Sequence, residues 1–367
     1  MQKLNLKDKN LYYIGGIVRD ELLGLPEKQA DIDVTYVGNA IEFCKNLDMG
    51  EIVQINDAFG TVRMKINDEC VDFASTRKEI YDKKGHLPVV TEIGCSLKED
   101  VLRRDFTVNA LAKSLYNEEI VDYTGGLQDL KDKKLRILHD GSFIDDPTRI
   151  VRGLKFSVRF GFELEEKTKL LQDKYLEKVN RDMCYKRLKQ ELEDAFNLNR
   201  QEVLDKFVEQ RIYKLISDKN YANTEINIEN MLKKYEVEIP WLVYLGNFDL
   251  EKFDLTSREQ KIISDYKMLT EYSGEDIFEL YKKFRQVSRE SVLLYAIYVD
   301  YDFAVSYLEN LSEIKLEITG DDLIKLGYKP NENFSKCFDL VLREKFVNPK
   351  LTKDEELKIA KNFFNKL

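Results

Sequence analysis

The sequence predicts an α+β protein: an N-terminal portion with a small mixed sheet and helices, followed by an all-helical remainder. Three observations predict it. Short runs with apolar/polar alternation or β-branched enrichment crowd the first 140 residues and nearly vanish after His139. Helical periodicity then continues to Leu367. The 367 residues include only 17 glycines and 6 prolines, few for a loop-rich fold and fitting for a largely helical one. Soft boundaries fall near 140, 200 and 265, and the length suffices for several domains.

In chain order, "YYI" (Tyr12–Ile14), "DIDVTYV" (Asp31–Val37), "TVRMKI" (Thr61–Ile66) and "CVDFAST" (Cys70–Thr76) read as strands. "GIVRDELLG" reads as a helix closed by Gly24. "DVLRRDFTVNALAKSL" (Asp100–Leu115) reads as a helix with one apolar face. "DPTRIVRGLKFSVRF" starts another, with Pro147 in a first turn where its missing N–H costs nothing. The later helices are interrupted at "GNFDL" and "GYKPNEN", and no internal repeat is present.

Composition excludes several classes. No run of about 18 apolar residues predicts a membrane span, and "MQKLNLKDKN" has no apolar signal core, so a cytoplasmic protein is expected. The five cysteines (44, 70, 95, 184 and 337) have no CxxC spacing, which suggests reduced thiols and no zinc site. His86 and His139 are the only histidines, too few for a His-based metal site. A catalytic metal would therefore sit on carboxylates, which points to Mg²⁺. The net charge of −9 argues against a nucleic-acid partner. Between Arg149 and Lys189, however, twelve Lys/Arg face six Asp/Glu, and Arg149, Arg152, Lys155 and Arg159 recur on one helical face. That face is either a solvated helix surface or a binding surface.

The opening stretch carries chemistry. Asp31 and Asp33, two apart on a strand, share a face while Ile32 and Val34 turn inward. Neighbouring carboxylates repel unless a cation compensates them. Divalent metals so held can clamp the oxygens of a phosphoryl transfer; the alternative is an edge strand with two solvated aspartates. Gly15 and Gly16 permit close backbone approach before a helix, where free N–H groups favour phosphate, or they simply make a tight turn. Arg19 lies one turn further in.

"GGIVRD…DIDV" resembles the signature of the DNA polymerase β nucleotidyltransferase superfamily, and more narrowly the class II tRNA nucleotidyltransferases (CCA-adding enzymes) and bacterial poly(A) polymerases. Four further motifs match in family order: "RRDFTVNALA", a ribose-contacting motif; "DYTGGLQDL", a hinge; "DDPTRIVRGLKFSVRFGF", a base-selecting helix; and, more loosely, "YKRLKQEL", which supports that helix. The resemblance implies a polymerase β-like head (1–140), a base-selecting neck (141–200), a body (201–265) and a tRNA-binding tail (266–367), elongated and curved. It implies that Gly16, Arg19, Arg104, Asp146, Arg149 and Arg152 hold the incoming nucleotide, with Asp105 and Asn109 near its ribose. Lys155 stands where the family usually has Arg, keeping charge but losing the planar fork; Lys186 stands where Glu is frequent. Asp72 in "VDF" is either a third carboxylate or a structural strand aspartate.

Asp146 and Arg149 are i,i+3 neighbours, one accepting hydrogen bonds and the other donating them. Cytosine and adenine both present an amino donor beside a ring-nitrogen acceptor, so this pair suits C and A. Guanine and uracil would mismatch it at about 1–3 kcal/mol per buried group; the alternative is an ordinary salt bridge. The expected activity is CCA addition to the tRNA 3′ end from CTP and ATP. Alternatives are an A-adding or CC-adding enzyme, a poly(A) polymerase, or an RNA-binding protein with an inactive head. A flexible loop is expected over Lys78–Asp100, as CC-adding enzymes are said to lack, with Glu79, Asp82, Lys84 and His86 solvated. "ITGDDLIKLGYKP" resembles the tail segment of Gram-positive-type CCA enzymes, although Asn331 replaces a frequent Gly. Trp241 reads as core.

Overall fold

The structure is a computed structural model that describes residues 4, 6–26, 32–198, 200–221, 224 and 226–366. It is the expected α+β molecule. Contacts divide it into two compact units, residues 1–221 with 249–254, and residues 222–248 with 255–367.

The first unit is built on a seven-stranded mixed sheet. Its strands are β1 (Leu11–Ile14), β2 (Ile32–Tyr36), β3 (Glu51–Asn56), β4 (Thr61–Ile66), β5 (Glu69–Ser75), β8 (Ala112–Ser114) and β9 (Ile120–Val121). The spatial order is β3-β4-β5-β2-β1-β8-β9. β2 and β5 run parallel in the register Asp33↔Asp72; the other pairs are antiparallel. β6 (Arg77–Ile80) and β7 (Val89–Ile93) form a separate hairpin, and β10 (Lys134–Leu135) pairs in parallel with β11 (Glu163–Leu164).

Helices α1 (Gly16–Leu22), α2 (Ala40–Lys45), α3 (Leu97–Leu102) and α4 (Gly126–Lys131) accompany the sheet. α5 (Ser142–Asp145), α6 (Thr148–Phe160), α7 (Glu166–Glu177), α8 (Tyr185–Phe196) and α9 (Arg200–Glu209) follow. The second unit is helical: α10 (Ile228–Lys234), α11 (Pro240–Leu245), α12 (Ser257–Thr270), α13 (Ile277–Phe284), α14 (Arg289–Tyr298), α15 (Tyr301–Ser306), α16 (Gly320–Lys325), α17 (Glu332–Val347) and α18 (Lys353–Phe364). Trp241 on α11 is 5% exposed and belongs to the core, as expected. Among the described residues no helix is long and apolar enough to cross a membrane.

Local chemistry accounts for the boundaries that matter to the site. Gly24 follows α1 at φ 65°, the left-handed conformation that closes a helix without a Cβ penalty. Pro147 sits at the N-cap of α6, as the sequence predicts to within a residue.

One expectation is corrected. The helix read over Asp100–Leu115 is three pieces: α3 ends at Leu102, a 3₁₀ turn spans Thr107–Asn109, and β8 follows. The apolar spacing is real, but local polar groups divert the backbone. The Asp105 carboxylate accepts from its neighbour's N–H, Phe106 N, at 2.8 Å, and Thr107 N donates to Arg136 O at 2.9 Å. The segment expected as a flexible loop is largely the β6–β7 hairpin. Glu79, expected to be solvated, has a side chain only 4% exposed and pairs with Arg77 and Arg103.

Candidate active site

Asp33 is exposed on β2, between buried Ile32 and Val34. Asp72, its registered partner on β5, shares its face. Asp72 also receives a two-pronged contact from Arg63 on β4, Nε to Oδ1 at 2.8 Å and Nη2 to Oδ2 at 2.6 Å. Asp31 lies outside the described residues. Among those described, no group of three or more His, Cys, Asp or Glu is placed to hold a metal. The donor chemistry nevertheless fits a hard divalent ion: carboxylate oxygens side by side, with no sulfur or imidazole.

Tyr13 on β1 lies opposite Val34, so Gly15 follows β1 at the same end of the sheet as Asp33. Gly15 has φ 72°, and a Cβ there would stand 3.3 Å from Arg104 Nη1. The glycine thus serves both the turn and the approach of a guanidinium. Its own N–H is spent on Leu111 O at 3.1 Å.

Four residues assigned to the nucleotide form one hydrogen-bonded chain. Arg152 on α6 donates to Asp105 Oδ2 through Nε at 2.8 Å, and its Nη2 pairs with the same oxygen at 2.7 Å. Asp105 Oδ1 accepts from Asn109 Nδ2 at 3.0 Å, and Asn109 Oδ1 accepts from Arg19 Nη1. Arg19 is 4% exposed and stacks over Phe160 and Phe156 at 4.5 and 5.2 Å. Burial alone would raise the Asp105 carboxyl. The adjacent Arg152 charge and the donors Asn109 and Phe106 N outweigh it and hold the pKa down at about 2.

The "DYTGG" motif braces this chain. Asp122 accepts from the N–H groups of Thr124, Gly125, Gly126 and Leu127 at 2.9–3.1 Å. That turn sets Gly126 against the 3₁₀ turn so tightly that a Cβ would fall 2.3 Å from Thr107 O. Thr107 Oγ1 donates to Asp129 Oδ2 at 2.6 Å, and Arg136 pairs with that carboxylate.

Asp146 and Arg149 are 3% and 4% exposed at the start of α6. Arg149 N donates to Asp146 O at 3.2 Å, but their side chains bond other partners. Asp146 Oδ1 accepts from Thr148 N at 3.1 Å and Thr148 Oγ1 at 2.6 Å, while Oδ2 accepts from Arg187 Nη2 at 2.6 Å. Arg149 Nη1 donates to Ser142 Oγ at 2.6 Å. Its Nη2 donates to Arg103 O at 2.9 Å and Tyr81 Oη at 3.3 Å. The Arg103 carbonyl ties this pair to the Arg104–Asp105 segment.

Lys155 points elsewhere, to Glu191 and Asp194 on α8 at 2.7 and 3.0 Å. Arg159 pairs with Asp20 at 3.1 Å. Three residues of the basic face of α6, Arg152, Lys155 and Arg159, are therefore occupied by this protein's own acids, while Arg149 bonds neutral oxygens. Sequence reasoning missed Tyr81, Ser142, Thr148 and Arg187. Thr148 and Arg187 carried a signal, their places in the base-selecting motif and in the motif that supports it.

The head sets the class of protein: residues 11–136 match the poly A polymerase head domain, a nucleotidyltransferase fold. An A-adding tRNA nucleotidyltransferase of Aquifex aeolicus (strain VF5) is 32% identical over 358 residues. That match covers 88% of this chain but 43% of that protein. The A-adding tRNA nucleotidyltransferase of Halalkalibacterium halodurans is 28% identical over 97% of this chain and 89% of its own length. A solved CCA-adding enzyme, apo form II, superposes with a TM-score of 0.75 at 27% identity, covering 97% of this chain and 92% of that one. The head belongs to the poly A polymerase head domain family, and the chain along nearly its whole length is similar to the tRNA nucleotidyltransferases. That nucleotidyltransferase family generally uses a divalent metal.

Proposed function

We propose that this chain adds CCA to the 3′ end of tRNA in the cytoplasm, without a template, from CTP and ATP. The observation that carries the reading is the buried acceptor–donor pair Asp146 and Arg149, held over the Arg103–Asp105 segment. Asp146 would accept from the amino group of C or A, and Arg149 would donate to the ring nitrogen. Arg104, beside Gly15, would meet the triphosphate, and the Arg152–Asp105–Asn109–Arg19 chain would fix the ribose and phosphate end. Asp31 and Asp33 would hold Mg²⁺, with Asp72 adjacent; bound there, the ion supplies charge stabilisation to the triphosphate. The tRNA 3′-hydroxyl attacks the α-phosphorus in line, a new P–O bond forms, and the bond to pyrophosphate breaks. The protein contributes positioning and electrostatics.

The second unit carries a surface that suits the RNA body. A cleft of about 620 Å³ is lined by Lys282, Arg285, Lys315 and Lys336 against a single acid, Asp339, with Leu316 and Phe338 among its walls. We assign this part of the tail to tRNA phosphates.

A second reading, addition of the terminal A alone, is favoured by one observation. Three relatives that align along 88%, 97% and 95% of this chain are all named A-adding enzymes. One experiment separates the two: tRNA ending before CCA, and tRNA ending in CC, each given CTP, ATP or both. CCA addition predicts C incorporation on the first substrate; A addition predicts product only from the second.

A further inference from the structure

The partners of Asp146 and Arg149 leave an exact remainder of hydrogen-bonding capacity. A carboxylate offers two lone-pair positions per oxygen, and a guanidinium offers five N–H groups. Thr148 fills both positions on Asp146 Oδ1, and Arg187 fills one on Oδ2. One acceptor position remains. Tyr81 and Arg103 O use both N–H groups of Arg149 Nη2, and Ser142 uses one on Nη1. The Nε–H and one Nη1–H remain. A pair left with one acceptor and spare donors matches an amino group beside a ring nitrogen, and it clashes with a carbonyl beside an N–H.

We infer that Thr148 and Tyr81 are positioning residues that set base discrimination by holding Asp146 and Arg149 in this one hydrogen-bonding state. The inference rests on the base-reading role proposed above for Asp146 and Arg149. Thr148 pins Oδ1 from the backbone and from its hydroxyl, so the carboxylate cannot turn to offer a second acceptor or shift its open position. Tyr81 reaches Arg149 from the β6–β7 hairpin, so the reader's geometry is also set by the head. That hairpin tip is seated on the segment around the pair. Gly85 N donates to Asp145 O at 2.9 Å, Cys184 N donates to Gly85 O at 2.9 Å, and Lys84 Nζ bonds Asp145 Oδ1 at 2.6 Å. Gly85 has φ 81°, and a Cβ there would come within 2.9 Å of the Met183 Cβ, so the tip lies flush against that segment.

The test compares kcat/KM for CTP, ATP, UTP and GTP on the full-length enzyme with an acceptor tRNA, in wild type, Asp146→Ala, Thr148→Val, Thr148→Ser and Tyr81→Phe. Thr148→Val keeps the shape and removes one buried hydrogen bond to the Asp146 carboxylate. The correct-to-incorrect ratio is expected to fall about tenfold to a hundredfold, with Thr148→Ser restoring it. Tyr81→Phe, which keeps the ring and removes the hydroxyl, is expected to lower the ratio about threefold, in line with a longer and weaker bond. A merely structural role would lower the melting temperature and leave the ratios intact. If Asp146→Ala relaxes discrimination while Thr148→Val and Tyr81→Phe leave it unchanged, the positioning inference is overturned. If Asp146→Ala itself leaves discrimination unchanged, the base-reading assignment fails first. Should Thr148→Val not fold, the surface-side Tyr81→Phe decides alone.

Discussion

Asp105 joins the sheet-proximal turn to α6 by accepting from Phe106 N, Asn109 and Arg152 at once. Its depressed pKa of about 2 has a sign. A carboxyl bound more tightly as its anion in the folded state stabilises the fold above its unfolded pKa of about 3.9, and that stability is lost as pH falls toward the folded value. The contribution is on the order of 2 kcal/mol. Urea titrations between pH 5 and 2 should show wild type losing more stability across that window than Asp105→Asn. Equal losses would remove Asp105 from this account. Asp33 belongs to the same scale but to chemistry. Asp33→Ala should cut nucleotide incorporation by about a thousandfold or more, several kcal/mol of charge stabilisation, while tRNA binding persists in a filter assay. Asp33 was legible from its spacing to Asp31 and its apolar neighbours, and Gly15 from its place before a helix. The partners of Arg149 were not: Tyr81 lies 68 residues away in sequence, and no local pattern marks a tyrosine as a hydrogen-bond acceptor for a distant arginine.

The turns that carry the site explain more than the helices beside them. Gly126 is required because its Cα faces Thr107 O, so Gly126→Ala must displace the turn bearing Asn109. Overpacking of this kind costs about 1–3 kcal/mol. The melting temperature should drop and the KM for nucleotide should rise; an unchanged KM would show that the 107–109 turn does not position the ribose end. The strands β1, β2, β4 and β5 and the start of α6 followed from periodicity and Pro147. The helix read over Asp100–Leu115 did not, because Asp105 and Thr107 bond the backbone of other segments and override an apolar spacing that is itself helical. β3 escaped notice because it is an edge strand with most of its side chains exposed, leaving no inward face to mark it. The basic face of α6 was visible in sequence, but its use was not, since Glu191, Asp194 and Asp20 reach it only in the folded state.

For the whole chain, a net charge of −9 and an RNA substrate are compatible only if cations are gathered locally. The tail cleft of Lys282, Arg285, Lys315 and Lys336 is such a gathering. The logarithm of tRNA affinity should fall linearly with the logarithm of salt concentration. Reversing charge in Arg285→Glu with Lys315→Glu should flatten that slope by about one to two units, at roughly 0.7–0.9 per lost phosphate contact. An unaltered slope would move the RNA surface elsewhere on the protein. The central claim is CCA addition, and it is tested most directly by incubating the purified chain with Mg²⁺, CTP and ATP and a tRNA that ends before CCA, then sequencing the product ends. The account predicts ends that read CCA, stopping there, and ends that read CC when ATP is withheld. Ends left unextended, with A added only to a tRNA already carrying CC, would contradict it.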